Sequence, residues 1–218
     1  MNYLTYLPVY SRLTPSQQSA LREAASVRTF EKGETLHDGT GCTGLLVVLS
    51  GQLDAKILSE DGRQITLYRL FERDVCLFSA ACMMNGIQFE VTVSAQKPST
   101  VLIIPSETYR RLMNESVLLA NYTNELMASR FSEVMWLMDQ ILWKSFDRRL
   151  AAFLLEEAGI NHTRTLKMTH EAIGTHLGNP REVVSRMLKY FARENLVALS
   201  RGTIELLDLP GLQEIAGQ

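Results

Sequence analysis

Cysteine is scarce in this chain: Cys42, Cys76 and Cys82 are the only three in 218 residues. Three scattered thiols are too few to staple a disulfide-built domain. Histidine is nearly as rare. Of the four present, only His37 precedes residue 162, so a β-domain metal enzyme, which needs several histidines and carboxylates gathered on strands, finds no support. There is no nucleophile–base motif and no phosphate-cradling glycine loop, and no enzymatic activity is expected. No apolar run reaches the length of a membrane-spanning helix. The opening Met1-Asn-Tyr-Leu-Thr-Tyr-Leu-Pro8 lacks a basic stretch followed by a cleavable apolar core, so a cytoplasmic protein with no membrane partner is expected.

What is present is an ordinary globular composition, 46% hydrophobic and 21% charged, with a formal net charge of −2. The charge is unevenly placed. Between His162 and Arg201 seven basic residues face three acidic ones, a net +4 that leaves −6 for the rest of the chain. A basic module on an acidic body suits a phosphate-rich partner.

The texture changes three times along the chain. Thr14-Pro15-Ser-Gln17 reads as a capping box opening a helix. From Phe30 to Pro105 short apolar runs alternate with turn residues: Leu45–Leu49, Gln52–Leu58, Gln64–Leu70, Phe89–Val93 and Thr100–Ile104 read as strands. Ser50-Gly51, Glu60–Arg63 and Lys97-Pro98 supply turns. Strands this short and close imply a sandwich or barrel. A short helix capped by Ser106 follows, and then a long one from near Ser116.

No glycine or proline interrupts Val117–Trp143, and apolar residues fall on more than one stripe. Leu119, Tyr122, Leu126, Leu137 and Ile141 lie near one seam; Met127, Phe131, Val134 and Met138 lie near another. A helix apolar on two sides must bury both, one on its own domain and one on a second copy. Leu119, Tyr122, Leu126, Val134, Leu137 and Ile141 are the dimerisation candidates. Beyond Ser145, Asp147 is expected to cap a helix from Arg148 to Ala158 that Gly159 ends.

The stretch Met168–Val197 carries the strongest functional signal. Thr169 caps a helix with Glu171 in its first turn and Ala172, Ile173 and Leu177 as its buried stripe. Gly178 permits a tight turn and Pro180 starts a second helix, with Val183, Val184, Met187 and Leu188 inward. Arg181, Glu182, Ser185, Arg186 and Lys189 are left outward. That is the layout of a helix-turn-helix whose second helix enters the DNA major groove, where Arg bridges guanine O6 and N7 and Glu accepts from cytosine N4. Arg181, Glu182, Ser185 and Arg186 are the candidate base readers. Thr169, His170, Lys189, Ser200 and Arg201 are candidates for backbone phosphates. A hairpin from Val197 to Leu207 with Gly202 in its turn forms a wing.

These features together resemble the CRP/FNR transcription regulators over nearly the whole length. Gly33-Glu34, then Gly44 and Leu49-Ser-Gly51-Gln, look like the family's first β hairpins. Phe71-Glu-Arg-Asp74-Val-Cys76 falls where its phosphate-binding segment begins, and Phe146-Asp147-Arg148-Arg149-Leu150-Ala resembles the opening of its DNA-binding domain. Arg181-Glu182-Val-Val-Ser185-Arg186 is similar to its recognition-helix signature. The resemblance implies an α+β chain with a cyclic-nucleotide-binding-like jelly-roll sensor at 1–115. A dimerisation helix at 116–144 and a winged helix-turn-helix at 145–218 would follow. It also implies a homodimer on a palindromic double-stranded operator with TTGAT- or TGTGA-related half-sites, and RNA polymerase as a partner.

The family's ligand residues do not carry over. The Gly-Glu and Arg-Ser/Thr pairs that hold a cyclic nucleotide are replaced by Val75–Met84 and Phe89-Glu90, and Trp136 and Leu137 stand where polar helix residues would meet the base. A carboxylate repels a phosphate, so cyclic AMP is not expected. The four-cysteine iron–sulfur set is absent, which argues against a 4Fe-4S cluster, and the single sensor histidine argues against haem. Neither a metal site nor any other cofactor is expected. The sensor pocket, with Cys76, Phe78, Cys82, Phe89 and Trp136 as candidates, would take an unidentified small effector. The alternative is redox, thiol or metal gating through Cys76 and Cys82.

Overall fold

Thr14 opens the first regular helix, α1 (Pro15–Ala24), as its sequence predicts. Its side chain accepts from the Gln17 amide while Gln17 reaches back to the Thr14 amide at 3.1 Å, a complete capping box. The computed structural model describes residues 3–59, 64–83 and 90–217, except for the side chains of 81–83. Its contacts divide the chain into two bodies, residues 1–58 with 67–135 and residues 59–66 with 136–218.

In chain order the strands after α1 are β1 (Ser26–Phe30), β2 (Thr35–Asp38), β3 (Leu45–Ser50), β4 (Leu53–Leu58), β5 (Gln64–Leu70), β6 (Val75–Cys76), β7 (Thr92–Ala95) and β8 (Ser99–Ile104). They form two four-stranded sheets, ordered β1-β8-β3-β6 and β2-β7-β4-β5. The pairings are antiparallel, with Leu46 opposite both Ile103 and Cys76, and Ala55 opposite Val93. This is the expected jelly roll. Strand β3 is apolar at five successive positions because both its faces are covered. Leu46 and Val48 join Leu53, Tyr68, Leu70, Cys76 and Phe78 in the roll interior. Leu45, Val47 and Leu49 face a second core shared with Leu21, Tyr109, Leu112 and Leu119. The strand expected at Phe89–Val93 begins at Thr92. Phe89, like the Glu60–Arg63 turn, lies outside the described residues.

Helix α2 (Ser106–Glu115) has Pro105, not Ser106, at its cap position. Helix α3 (Val117–Trp143) starts with Ser116 Oγ accepting from the Leu119 amide at 3.3 Å. The two stripes of α3 divide differently from the sequence expectation. Leu119 is fully buried in its own sensor core and so is not available to a second copy, while Tyr122 and Leu126 are half-buried and pack against that core. Phe131, Met135, Met138 and Leu142 are instead left exposed, with Phe131 at 67% and Leu142 at 65%. Spacings of four, three and four residues place them on one line, the 3.5-residue repeat of a two-helix seam. Of the other candidates, Val134 and Leu137 are half-buried and Ile141 is exposed.

The second body holds the end of α3, then α4 (Phe146–Asn161), β9 (Thr165–Leu166), α5 (His170–Leu177), α6 (Arg181–Arg193), β10 (Val197–Ser200), β11 (Thr203–Leu206) and α7 (Leu209–Ala216). Its small sheet runs β10-β11-β9. Leu150, Phe153, Leu154, Ile173, Val184, Leu188, Phe191 and Leu212 form its core. Two expectations fail here. Helix α4 is capped at Ser145, not Asp147, and runs through Gly159 to Asn161. His162 ends it in the left-handed region (φ 49°), with the Thr163 amide donating back to the Ala158 carbonyl at 3.1 Å. Burial of Leu150, Phe153 and Leu154 carries the helix past a residue that would end an isolated one. Helix α7 was not foreseen, although Asp208, whose Oδ1 accepts from the Gly211 amide at 3.0 Å, and Pro210 announce it.

Candidate nucleic-acid interface

Helix α5 begins where Thr169 Oγ1 accepts from the Ala172 amide at 3.1 Å. It buries Ile173 and Gly174; Ala172, expected inside, is exposed, and Leu177 is half-buried. Two glycines shape the turn. Gly178 adopts φ +68°, the left-handed conformation that lets the chain reverse. Gly174 touches the turn so closely that a Cβ there would stand 2.5 Å from the Asn179 carbonyl oxygen. From the other side Arg149 on α4 holds the same turn. Its Nη1 donates to the Leu177 carbonyl and its Nη2 to Asn179 Oδ1, both at 3.0 Å. Sequence reasoning missed Arg149, because an arginine in a run of charges carries no sign of what it will grip.

The turn delivers α6 with one face sunk and one clear. Val184, Leu188 and Phe191 are fully buried, while Val183 and Met187 are half-buried. Arg181, Glu182, Arg186 and Lys189 are exposed and Ser185 is half-buried. The candidate base readers thus share one side of one helix. Of the candidate phosphate contacts, Thr169 is exposed and keeps its hydroxyl hydrogen free to donate. Ser200 and Arg201 are exposed at the wing tip, where Gly202 takes φ +71°. His170 is half-buried; burial first, then repulsion from Arg181 and Lys189, pushes its pKa below the usual imidazole value. His176 packs against Phe153 with ring centroids 4.6 Å apart and serves the core.

In the sensor, Cys76 is fully buried with its Sγ 3.8 Å from the Tyr68 hydroxyl, and Phe78 packs on the Tyr68 ring at 5.7 Å. Cys42 is disulfide-bonded while Cys76 is a free thiol, an outcome that counting cysteines did not foresee. The Cys82 side chain and Phe89 fall outside the described residues. Trp136, in the second body, is 63% exposed and lines a cavity with α4 and α7. Arg130 of α3 also packs on the roll and is only 7% exposed. Its guanidinium lies 4.6 Å from the Tyr68 ring centroid. Nη2 donates to the Val75 carbonyl at 3.4 Å, and Nη1 binds the Glu133 carboxylate at 2.6 and 2.8 Å. Its four- and three-residue spacing from Leu119, Thr123 and Leu126 is the signal that could have found it.

His37 is buried with its Nδ1 2.9 Å from Thr43 Oγ1, and burial pushes its pKa down. Among the described residues no cluster of three His, Cys, Asp or Glu could hold a metal ion, and no helix is long and apolar enough to cross a membrane.

A β-roll sensor followed by a long helix and a winged helix-turn-helix defines a class of DNA-binding regulators. Residues 27–116 match the cyclic nucleotide-binding domain and residues 148–215 the Crp-like helix-turn-helix domain. The transcriptional activator protein FnrA of Stutzerimonas stutzeri is 30% identical, with 87% of this chain and 80% of that protein covered. The transcriptional regulatory protein btr of Bordetella pertussis is 28% identical over 85% of this chain, which spans 66% of its length. A solved CRP/FNR-family structure from Eubacterium rectale is 52% identical, covering 98% of this chain and all of that one, with a TM-score of 0.96. The chain belongs to the CRP/FNR family of transcription regulators.

Proposed function

We propose that the chain acts in the cytoplasm as a homodimer that reads a palindromic operator, one α6 per half-site, with RNA polymerase downstream. Arg181, Glu182, Ser185 and Arg186 face base edges. Thr169, His170, Lys189, Ser200 and Arg201 hold phosphates. The observation that carries this reading is α6 itself: exposed arginines and a glutamate over a buried Val184–Leu188–Phe191 stripe. The Phe131–Leu142 seam supports a second copy, because a line of exposed large apolar side chains is costly in water. Binding-site selection with random DNA tests the assignment. Glu182→Ala and Arg186→Ala should each relax one base-pair position, a loss of ~1–3 kcal/mol of discrimination. An unchanged sequence preference in both would refute it.

The effector is not a cyclic nucleotide on this reading. The segment Val75–Phe78 is buried and apolar, and by the family resemblance Glu90 offers a carboxylate where a phosphate would need a cation. Titration calorimetry with cyclic AMP and cyclic GMP should give no saturable heat. A second reading, thiol gating, is favoured by one observation: Cys42 is oxidised while Cys76 is not. Gating would then act through Cys42 rather than the buried Cys76. Operator affinity that changes between reduced and oxidised protein, and loses that response in Cys42→Ser but not in Cys76→Ser, is the expected pattern.

A further inference from the structure

The second body contains a cavity of about 780 Å³ bounded by the C-terminal end of α3, by α4 and by α7. That volume suits a small-molecule ligand. Its floor is apolar, built from Ala152, Leu155 and Ala158 of α4 and Leu209 of α7, with the Trp136 indole as one wall. Gln140, only 8% exposed, also lines it, and its Nε2 donates only at 3.4 Å to the neighbouring Asp139. Two cations, Lys144 and Arg164, line the rim with the carboxylate of Glu156, which already has a partner; His162 lines it as well, and Asp139 stands beside Gln140.

The dimer seam does not account for this cavity. At ~100° per residue, Trp136, Gln140 and Lys144 lie roughly 170° around α3 from the line of Phe131, Met135, Met138 and Leu142. A second copy seated on the seam therefore leaves the cavity face free. An apolar floor, an aromatic wall and two rim cations around a buried amide complement one kind of molecule: a flat apolar body ending in a single negative group.

We propose that this cavity is a binding site for a small aromatic carboxylate. The ring stacks on Trp136 above Leu155 and Leu209, the carboxylate meets Lys144 and Arg164, and Gln140 donates to it from within. The site is separate from the sensor interior and independent of the operator-reading assignment.

The test uses the full-length protein and 2-naphthoate as probe. Calorimetry should give saturable binding with Kd on the order of 100 μM or tighter, the range a ligand of this size reaches at ordinary efficiency. In a Trp143→Phe background Trp136 is the sole tryptophan, and its fluorescence should be quenched along the same isotherm. The Lys144→Gln/Arg164→Gln double variant should bind at least tenfold more weakly at unchanged thermal stability, and neutral 2-naphthamide should be similarly weak. Four outcomes overturn the proposal: no saturable heat, saturation without Trp136 quenching, an amide that binds as tightly as the acid, or naphthoate driving dimer to monomer in sedimentation, which would place a second copy in the cavity. None of these readouts involves DNA, so failure here leaves the operator-reading assignment standing.

Discussion

Arg149 Nη2 donates to Asn179 Oδ1 at 3.0 Å, tying the first turn of the DNA-binding domain's first helix to the turn that aims its recognition helix. The second donor, Nη1, reaches the Leu177 carbonyl at the same distance. One guanidinium thus fixes both sides of Gly178, and the angle of α6 depends on a residue that faces no base.

Replacing Arg149 with Met removes both charge-assisted bonds and leaves the Leu177 and Asn179 oxygens unsatisfied. Such bonds contribute ~1.5–3 kcal/mol each when made to a charged group. Thermal unfolding of the full chain should shift down, and operator affinity should fall at every sequence alike. Selective loss at one base pair would mean that Arg149 touches DNA directly.

A methyl group on Gly174 has no room against the Asn179 carbonyl oxygen. Gly174→Ala should cost ~1–3 kcal/mol of stability by overpacking. Gly202→Ala at the wing tip meets nothing within 4 Å and bears only the cost of its φ of +71°, about 1–2 kcal/mol. Denaturant titration checks both stability losses, and operator binding should fall further in Gly174→Ala, since only that change displaces the turn.

The seam and the core stripe of α3 should separate cleanly under mutation. Phe131→Glu or Met138→Glu should convert dimer to folded monomer in sedimentation, with near-wild-type circular dichroism. Leu119→Glu buries a charge in the sensor core and should unfold that body. A dimer that persists in both seam variants would move the interface elsewhere.

His170 provides a pH signature. Its pKa lies below the usual value in the free protein because of burial and of Arg181 and Lys189. A DNA phosphate beside it favours the protonated form, so binding takes up a proton. Operator affinity should rise as pH falls through and below ~6.5, until the free protein is protonated too. His170→Gln should flatten that slope, whereas an equal slope in the variant assigns the proton to another group.

Much of this was legible in the sequence because local chemistry decides it. Thr14 with Gln17 and Thr169 with Glu171 fix helix starts through side chains within one turn of each other. The alternation in β4 and β5 and the amphipathic face of α6 announce themselves by period. What the sequence hid depends on partners far along the chain. Gly159 ends no helix because α4 is held by Phe153 and Leu154 in a shared core. Leu119 and Phe131 look alike as apolar residues on one helix, and only the presence of the β roll beneath Leu119 tells them apart. Arg130 shares a surface charge's identity and is buried against Tyr68, a residue 62 positions away in the chain.

Because α4 passes through Gly159 unbroken, it is a rod. From Arg149 at the turn to Gly159 at the cavity it spans ~15 Å at 1.5 Å per residue. A tilt of ~10° about one end would carry the other by ~2.5 Å, close to a full hydrogen-bond length. The reading head and the cavity are then the two arms of one lever, and a molecule bound at the far arm would have mechanical purchase on how the protein meets its DNA.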